Sequence, residues 1–380
     1  MHVKNVLFVL RGRPGLGHVI PGLALAKAAS DLGAKIHIAT YAKGFEFLNQ
    51  PSNFGFDYDL TKLTVRDQYF DWPGLCPYDN GVREIMPLVE DIRAEVCVFG
   101  GEYLMGPLLA SIDCKSASTI NPEILIDTPK NRGPSAYMCR LISNSDYVVP
   151  LQDIPLGHPL IPEKDRLIKK LVSSGPFTLP QTDTCDSKRP IALIANGGGI
   201  DFPKSTSSYS SSMSSPQLWI KETVEYTEAA IKAALEVMGN NILIKVFSCL
   251  SQADNARLRA LGPRNRLHVS SISPEFYQHL YRAEVVISRS GMGFLADIDS
   301  VGAHKLIWAL SGHDEQIQNA TEFVQSHDNA FFCQSPFDIH NFLLGMQQKS
   351  VSTGVDNSRL GYHRAKKAML TILEENTIAS

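Results

Sequence analysis

Short aliphatic runs alternate with longer amphipathic segments along most of the chain. An apolar run of about four to eight residues is typical of a buried strand, whereas apolar positions three and four apart are typical of a helix. In the first half this pattern predicts strands at 6–10, 35–40, 95–99, 117–120 and 147–150, and helices at 20–32, 82–92 and 103–112. Strands that alternate with helices predict βαβ units on a parallel sheet.

The pattern loosens between residues 146 and 190, where proline, serine and threonine accumulate, and then restarts. The second half predicts strands at 191–195, 241–247, 285–288 and 305–310, and helices at 218–238, 275–282, 294–301, 315–326 and 359–375. We therefore expect an α/β protein with two doubly wound domains, residues 1–180 and 181–357, followed by a C-terminal helix within 358–380. The serine-rich segment at 205–215 is expected to be a loop or a lid.

Length and composition agree with a two-domain globular protein. The 380 residues exceed the roughly 250–300 at which a single core stops growing. Hydrophobic residues make up 44% and charged residues 20%, which excludes a disordered chain, a collagen-like chain and a coiled coil. A net charge of −3 argues against a nucleic-acid-binding protein that relies on a broad basic field.

The distribution of apolar residues and cysteines predicts a cytoplasmic protein. No apolar run reaches the roughly 20 residues of a membrane helix, and the first run is too short for a signal peptide. The seven cysteines are scattered, odd in number and without a CxxC pair. This usage fits a reducing compartment and gives no zinc-binding pattern.

The first candidate site follows the first predicted strand. There the sequence Gly15-Leu16-Gly17-His18 leads into a helix, and the unpaired N–H groups at a helix start suit a phosphate. The dinucleotide fingerprint fails, because Ile20 occupies the third glycine position, and a Walker sequence is absent. A neutral His18 can take a proton from a hydroxyl or an amine. The alternative is a histidine that caps or packs the loop.

A carboxylate usually orients such a base, and Glu102 is the candidate because it comes just after the strand at 95–99. The alternative is a solvated loop glutamate.

The densest candidate site lies in the second half, where three predicted strands run into polar or glycine-rich loops. Carboxyl ends of parallel strands meet at one edge, so these loops are expected to face one ligand cleft. Asp297 can accept ribose hydroxyls, with an exposed helix acid as the alternative; Asp314 can equally be a helix N-cap. The candidate residues are Gly197, Gly198, Arg289, Ser290, Gly291, Gly293, Asp297, His313, Asp314, Gln316 and Asn319.

These motifs resemble those of the GT-B nucleotide-sugar glycosyltransferases, and most closely the branch of the MurG-type N-acetylglucosaminyltransferases. The branch has a glycine loop ending in histidine after its first strand, as at Gly17-His18. Its donor signature, an apolar strand followed by RSG and a helical glutamate, corresponds to Arg289-Ser290-Gly291, with Asp297 in place of the glutamate. Its later signature D-x-Q-x-x-N-A corresponds to the segment that contains Asp314, Gln316 and Asn319.

The resemblance implies two Rossmann-like domains facing a central cleft and a final helix that crosses back to the first domain. It implies that Asp297 holds the donor ribose and that the backbone at Ile272 and Ser273 holds the uracil. The diphosphate would be approached by Ser290, Gly291, Gly17 and Gly198, and the sugar ring by Gln316 and Asn319. His18 would be the base, with Glu102 orienting it. No metal and no cofactor besides the UDP-sugar substrate is expected.

The implied reaction transfers a hexose or N-acetylhexosamine, with inversion, to a hydroxyl or amine of a small-molecule or lipid-linked acceptor. A lipid-linked acceptor would bring peripheral contact with a membrane; no nucleic-acid partner is expected. A nucleotide-sugar hydrolase or epimerase on the same fold is the alternative, and an inactive activator of another transferase is the third hypothesis.

Overall fold

The computed structural model describes residues 3–13, 15–51, 54–64, 81–102, 114–121, 139–152, 164–180, 189–197, 216–299, 301–346 and 358–374. The helix predicted at 103–112, the serine-rich segment at 205–215 and Gly198 lie outside the described residues. The chain divides into two compact units, Met1–Pro180 with Arg359–Ser380, and Gln181–Ser358.

The first unit contains a six-stranded parallel sheet with the order β3-β2-β1-β4-β5-β6. Uncharged, mainly apolar runs form its two innermost strands, at Asn5–Leu10 and Val96–Gly100, because both faces of a parallel sheet are covered. The strands are β1 (Asn5–Leu10), β2 (Lys35–Thr40), β3 (Asp59–Lys62), β4 (Val96–Gly100), β5 (Lys115–Ile120) and β6 (Tyr147–Pro150). The helices are α1 (Val19–Asp31), α2 (Ala42–Leu48), a π-helical turn (Gly81–Ile85) that continues into α3 (Met86–Ile92), and α4 (Lys164–Ile168).

The second unit repeats this architecture with the sheet order β12-β11-β10-β7-β8-β9. Its strands are β7 (Ile191–Ala195), β8 (Leu243–Ser248), β9 (Leu267–Ser271), β10 (Ala283–Arg289), β11 (His304–Trp308) and β12 (Ala330–Cys333). Its helices are α5 (Pro216–Val237), α6 (Gln252–Arg259), α7 (Glu275–Leu280), α8 (Met292–Asp299), α9 (Asp314–Gln325) and α10 (Asp338–Met346). In both sheets the loops that follow the central strands meet at the carboxyl edge.

The final helix, α11 (Ser358–Glu374), returns to the first unit. Lys4 donates a hydrogen bond to the Leu373 carbonyl, and the Tyr362 hydroxyl donates to the Asp31 carboxylate at the end of α1. Arg364 donates to the Gly175 carbonyl at 2.6 Å. The return of the last helix, which the resemblance implied, is therefore confirmed.

The sequence pattern missed the strands β3, β9 and β12. All three lie at a sheet edge, where a strand pairs with a neighbour on one side only and polar residues are tolerated. β3 reads Asp-Leu-Thr-Lys and β9 reads Leu-His-Val-Ser-Ser, so neither has the apolar run of a central strand.

Gly22 in α1 lies against the end of β1, and a Cβ there would be 2.4 Å from Leu10 Cδ2. We expect Gly22→Ala to lower the free energy of unfolding by about 1–3 kcal/mol, because overpacking forces a core side chain off its rotamer. Gly345→Ala in α10 is the matched control, since a Cβ there meets no atom within 4 Å. Urea denaturation that finds both variants as stable as the parent would contradict the close packing of α1 on β1.

Candidate functional site

The first group of candidate residues lies at the carboxyl edge of the first sheet, after the adjacent strands β1, β2 and β4. The loops after β1 and β4 are joined, because the Arg11 N–H donates to the Gly100 carbonyl at 2.8 Å. His18 stands at the N-cap position of α1, but its side chain makes no capping hydrogen bond. The alternative that the His18 side chain caps the helix is therefore wrong.

The imidazole of His18 packs against Gly101 instead. A Cβ at Gly101 would be 2.6 Å from the His18 ring, and Gly101 has a φ of +76°, a conformation that L side chains rarely adopt. Gly101, directly after β4, thus provides the space that the His18 ring occupies. The pattern of a glycine loop ending in histidine was visible in the sequence, but this use of Gly101 was not.

The electrostatic environment keeps His18 neutral. Burial of the ring, together with the nearby positive charge of Arg11, lowers the pKa of His18 from its ordinary value to about 3. The imidazole is therefore unprotonated throughout the neutral pH range. Its unprotonated ring nitrogen can accept a proton from a hydroxyl or an amine, but a pKa this far below neutral pH makes it a weak base.

Glu102 is fully buried, at 0% exposure, and accepts a hydrogen bond from the hydroxyl of Tyr41. The alternative of a solvated loop glutamate is wrong, because the side chain is shielded from solvent. Sequence reasoning missed Tyr41, although its position directly after β2 places it at the same edge as His18 and Glu102. A search of the first residue after each central strand would have found it.

In the second unit, Arg289 at the end of β10 lies against the loop after β7. Gly197 in that loop has a φ of +88°, and a Cβ there would be 2.5 Å from Arg289 Nη2. The arginine side chain is only 7% exposed. Burial lowers its pKa, yet an arginine remains cationic at any physiological pH. A fixed positive charge therefore stands at the carboxyl edge, beside a glycine that admits close approach.

The backbone that follows Arg289 is already hydrogen-bonded. The Ser290 N–H donates to the Trp308 carbonyl at 2.9 Å and the Ser290 hydroxyl to the Gln316 carbonyl at 2.7 Å. The Gly291 N–H donates to the Arg289 carbonyl at 2.9 Å. Ser290 and Gly291 thus shape the turn, while a Cβ at Gly291 would meet no atom within 4 Å, so this glycine opens onto space.

The loop after β11 brings His313, Gln316 and Asn319 together at the start of α9. His313 is the N-cap residue, and its Nδ1 accepts from the Gln316 N–H at 3.4 Å, so the cap is His313 and not Asp314, which is exposed. The Gln316 Oε1 accepts from the Leu310 N–H at 3.2 Å, which leaves its amide nitrogen to donate.

Asn319 follows one turn later and is 7% exposed. Its Nδ2 is buried and has no hydrogen-bond partner among the residues that the structure describes. An unsatisfied buried amide is unfavourable by about 1–3 kcal/mol, so this atom is suited to a ligand oxygen.

Trp219 in α5 supports this loop and was not predicted. Its indole N–H donates to the Ser311 carbonyl at 3.1 Å, and its ring lies 5.4 Å from the ring of His313. No local sequence signal marks it, because the contact joins positions far apart in the chain.

Asp297 in α8 is 4% exposed, so the alternative of an exposed helix acid is wrong. Its Oδ2 accepts a hydrogen bond of 2.8 Å from the hydroxyl of Tyr277 in α7. Burial raises the pKa of Asp297 to about 7, although the hydrogen bond from Tyr277 opposes the shift. The second unit therefore contains a buried carboxyl that changes its charge near neutral pH.

The remaining candidates are Ile272, Ser273 and Gly293 in the second unit and Gly17 in the first. The Ile272 N–H donates to the Ser248 carbonyl at 3.3 Å, which ties the segment after β9 to the end of β8. The Ser273 Oγ is buried and has no partner among the described residues. Gly17 is exposed beside His18, and Gly293 lies in the first turn of α8.

No family model and no curated protein matches the sequence. Solved structures do match over nearly the whole chain. Arabidopsis thaliana UGT89C1 complexed with UDP-L-rhamnose is 14% identical, with 98% of this chain and 96% of that chain covered and a TM-score of 0.57. The spinosyn forosaminyltransferase SpnP is 13% identical, with 100% of both chains covered and a TM-score of 0.55.

A putative UDP-N-acetylglucosamine 2-epimerase from Listeria monocytogenes is 12% identical, with 97% and 91% covered and a TM-score of 0.55. These likenesses show the fold. Together with the two parallel sheets, they confirm the expected GT-B architecture of Rossmann-like units.

Proposed function

We propose that the protein is a glycosyltransferase that moves a hexose or N-acetylhexosamine from a UDP-sugar to a hydroxyl or amine of an acceptor. The observation that carries the proposal is the group of buried polar side chains at the carboxyl edge of the second sheet. Arg289 provides a cation at this edge, Asp297 a carboxyl group, and Asn319 an amide nitrogen without a hydrogen-bond partner among the described residues. These groups complement a diphosphate, a ribose and a sugar ring.

The donor is proposed to bind with its diphosphate near Arg289 and the first turn of α8. The N-terminus of a helix and a guanidinium both favour negative charge, and the charge on the diphosphate grows as it leaves. This arrangement needs no metal ion. Gly197, Gly198, Gly17 and Gly293 are proposed to permit close approach of the phosphates.

The rest of the donor is proposed to meet residues from three loops. Asp297 accepts hydrogen bonds from the ribose, and the segment at Ile272 and Ser273 meets the uracil. The amide groups of Gln316 and Asn319 bind sugar hydroxyls, which they can both donate to and accept from. His313 and Asp314 lie at the start of the same helix and complete the sugar-facing loop.

In the proposed reaction, His18 takes the proton of the acceptor hydroxyl or amine while the acceptor atom forms a bond to the anomeric carbon. The bond from that carbon to the diphosphate oxygen breaks, and UDP leaves with its electron pair. A single displacement inverts the anomeric configuration. Glu102, fixed by Tyr41, is proposed to orient His18 and to stabilise the imidazolium that forms.

The acceptor is proposed to be a small molecule or a lipid-linked sugar. No helix among the described residues is long and apolar enough to cross a membrane. A cytoplasmic location, with peripheral membrane contact if the acceptor is lipid-linked, belongs to the same proposal.

Binding of UDP-sugars can be tested by thermal shift against UDP, UDP-glucose, UDP-N-acetylglucosamine and the corresponding dTDP- and GDP-sugars. We expect the UDP series to stabilise the protein most, by about 2.7 kcal/mol at a hundredfold excess over Kd. We expect a UDP-sugar to stabilise it more than UDP alone, because Asn319 binds the sugar.

Asn319→Ala should remove that difference between UDP-sugar and UDP, whereas Gln318→Ala should keep it. Gln318 is the neighbouring residue of α9, but it is exposed and bonded to Glu322. A protein that no nucleotide stabilises would refute the proposed function.

An epimerase is the competing function, since the Listeria monocytogenes 2-epimerase shares the fold. Incubation with UDP-N-acetylglucosamine alone distinguishes the two. An epimerised UDP-sugar without added acceptor would favour the epimerase, and rapid release of free sugar would favour a hydrolase.

A further inference from the structure

Tyr277 is a buried tyrosine that none of the sequence motifs includes. Its hydroxyl donates the 2.8 Å hydrogen bond to Asp297 Oδ2, and both side chains lie inside the second unit. Such a bond to a carboxylate fixes one of its two oxygens in place. The other oxygen then faces a defined direction.

The position of Tyr277 is fixed by aromatic packing between α7 and α8. Phe276, its neighbour in α7, lies 5.0 Å from Phe294 in α8 and 5.6 Å from Phe247 in β8, measured between ring centroids. The ring of Phe276 also meets the ring of Tyr277 edge-on at 5.1 Å. The hydroxyl of Tyr277 is therefore presented to Asp297 by a packed framework and not by a loop.

The hydrogen bond from Tyr277 matters because the side chain of Asp297 is short. An aspartate is one methylene shorter than the glutamate that occupies this position in the resembling branch, so its carboxylate reaches less far. A shorter side chain has fewer rotatable bonds, and a hydrogen bond from behind restricts it further. Such a carboxylate is presented to a ligand hydroxyl in one orientation.

We propose that Tyr277 is a positioning residue that holds Asp297 as an oriented acceptor for the ribose hydroxyls of the donor, so that the site selects ribonucleotides. The inference rests on the proposed function, because it takes the donor to be a uridine nucleotide. A site built to hydrogen-bond a hydroxyl discriminates strongly against a ligand that lacks it, since the buried carboxylate is then left without that partner.

The same contact makes nucleotide binding depend on pH. The influences on the pKa of Asp297 are burial, which raises it to about 7, and the hydroxyl of Tyr277, which lowers it; Tyr281 lies beside Tyr277. The carboxyl is ionised above its pKa and is then the better acceptor. Selection of ribose therefore strengthens as the pH rises through about 7 and weakens below it. Without Tyr277 that transition moves to higher pH.

Isothermal titration calorimetry with UDP and with 2′,3′-dideoxyuridine diphosphate tests the proposal between pH 6 and pH 8.5. The second ligand keeps the base and the phosphates, so titration of the diphosphate cancels in the ratio of the two Kd values. For Tyr277→Phe at pH 7 we expect Kd for UDP to rise about three- to tenfold, the range for the loss of one ordinary hydrogen bond. Kd for the dideoxy ligand should stay unchanged.

Asp297→Asn provides the second variant, and it leaves the Tyr277 ring in place. In this variant the Kd for the dideoxy ligand divided by the Kd for UDP should be low and independent of pH. Adding Tyr277→Phe to Asp297→Asn should change this ratio no further. A ratio in Tyr277→Phe equal to that of the parent, with the same pH dependence, would overturn the role of Tyr277. A parent protein that binds no UDP at any pH would instead refute the proposed function.

Discussion

Replacement of His18 by glutamine is expected to lower kcat by about 10²–10⁴-fold, the range for loss of a general base, and to leave the Kd for UDP unchanged. Glutamine approximates the size of the imidazole and can fill the space beside Gly101. It cannot accept a proton at neutral pH. The expected signature is a defect in turnover without a defect in donor binding.

Turnover would be followed as UDP release from the UDP-sugar that stabilises the protein most, with a panel of phenolic and amino-sugar acceptors. His363→Gln is the control, because His363 is exposed on α11. Since the pKa of His18 is lowered to about 3, its protonation should not limit turnover by the parent protein above about pH 5. A His18→Gln variant with a kcat within a factor of about three of the parent would exclude the assigned role.

Gly197→Ala is expected to weaken UDP binding about tenfold or more, because it displaces Arg289, the cation proposed to meet the diphosphate. The new Cβ would lie 2.5 Å from Arg289 Nη2, and the φ of +88° at this position is unfavourable for any L side chain. The strain should also lower the free energy of unfolding by about 1–3 kcal/mol. Calorimetry with UDP and urea denaturation measure the two effects.

Gly345→Ala again provides the control, as a glycine substitution whose new Cβ meets no atom within 4 Å. Arg289→Ala should weaken UDP binding as well, and the double variant should be no weaker than Arg289→Ala alone. If Gly197→Ala bound UDP as tightly as the parent, Arg289 would not be the group that meets the phosphates.

The central strands could be predicted from the sequence because they are buried on both faces. The pattern placed β1, β2 and β7 within one residue of their bounds in the structure. It missed β3, β9 and β12, all at sheet edges, whereas it placed β6 at the remaining edge of the first sheet correctly. β3 and β9 are too polar to show the apolar run of a strand that is buried on both faces.

The candidate site was predictable only where local geometry requires glycine or where a strand ends in a polar residue. His18 and Arg289 were predicted in this way, whereas Asn319 was predicted from the polar start of a helix; the roles of all three stay predictions. Tyr41 and Tyr277 were missed, because each meets its carboxylate across a separation of 61 and 20 residues, respectively. In each unit the hydroxyl of a buried tyrosine thus donates a hydrogen bond to a buried carboxylate.

The sequence by itself determined the two parallel sheets, the glycine turns after their strands and the identity of the polar residues at those turns. The periodicity of hydrophobic residues and the backbone freedom of glycine are local properties, so the amino-acid sequence is enough to predict their effects. Only the tertiary structure decided which of those polar residues are buried and what they touch. Burial and neighbouring dipoles set the charge state of a group, which is why His18 is neutral and why Asp297 titrates near neutral pH.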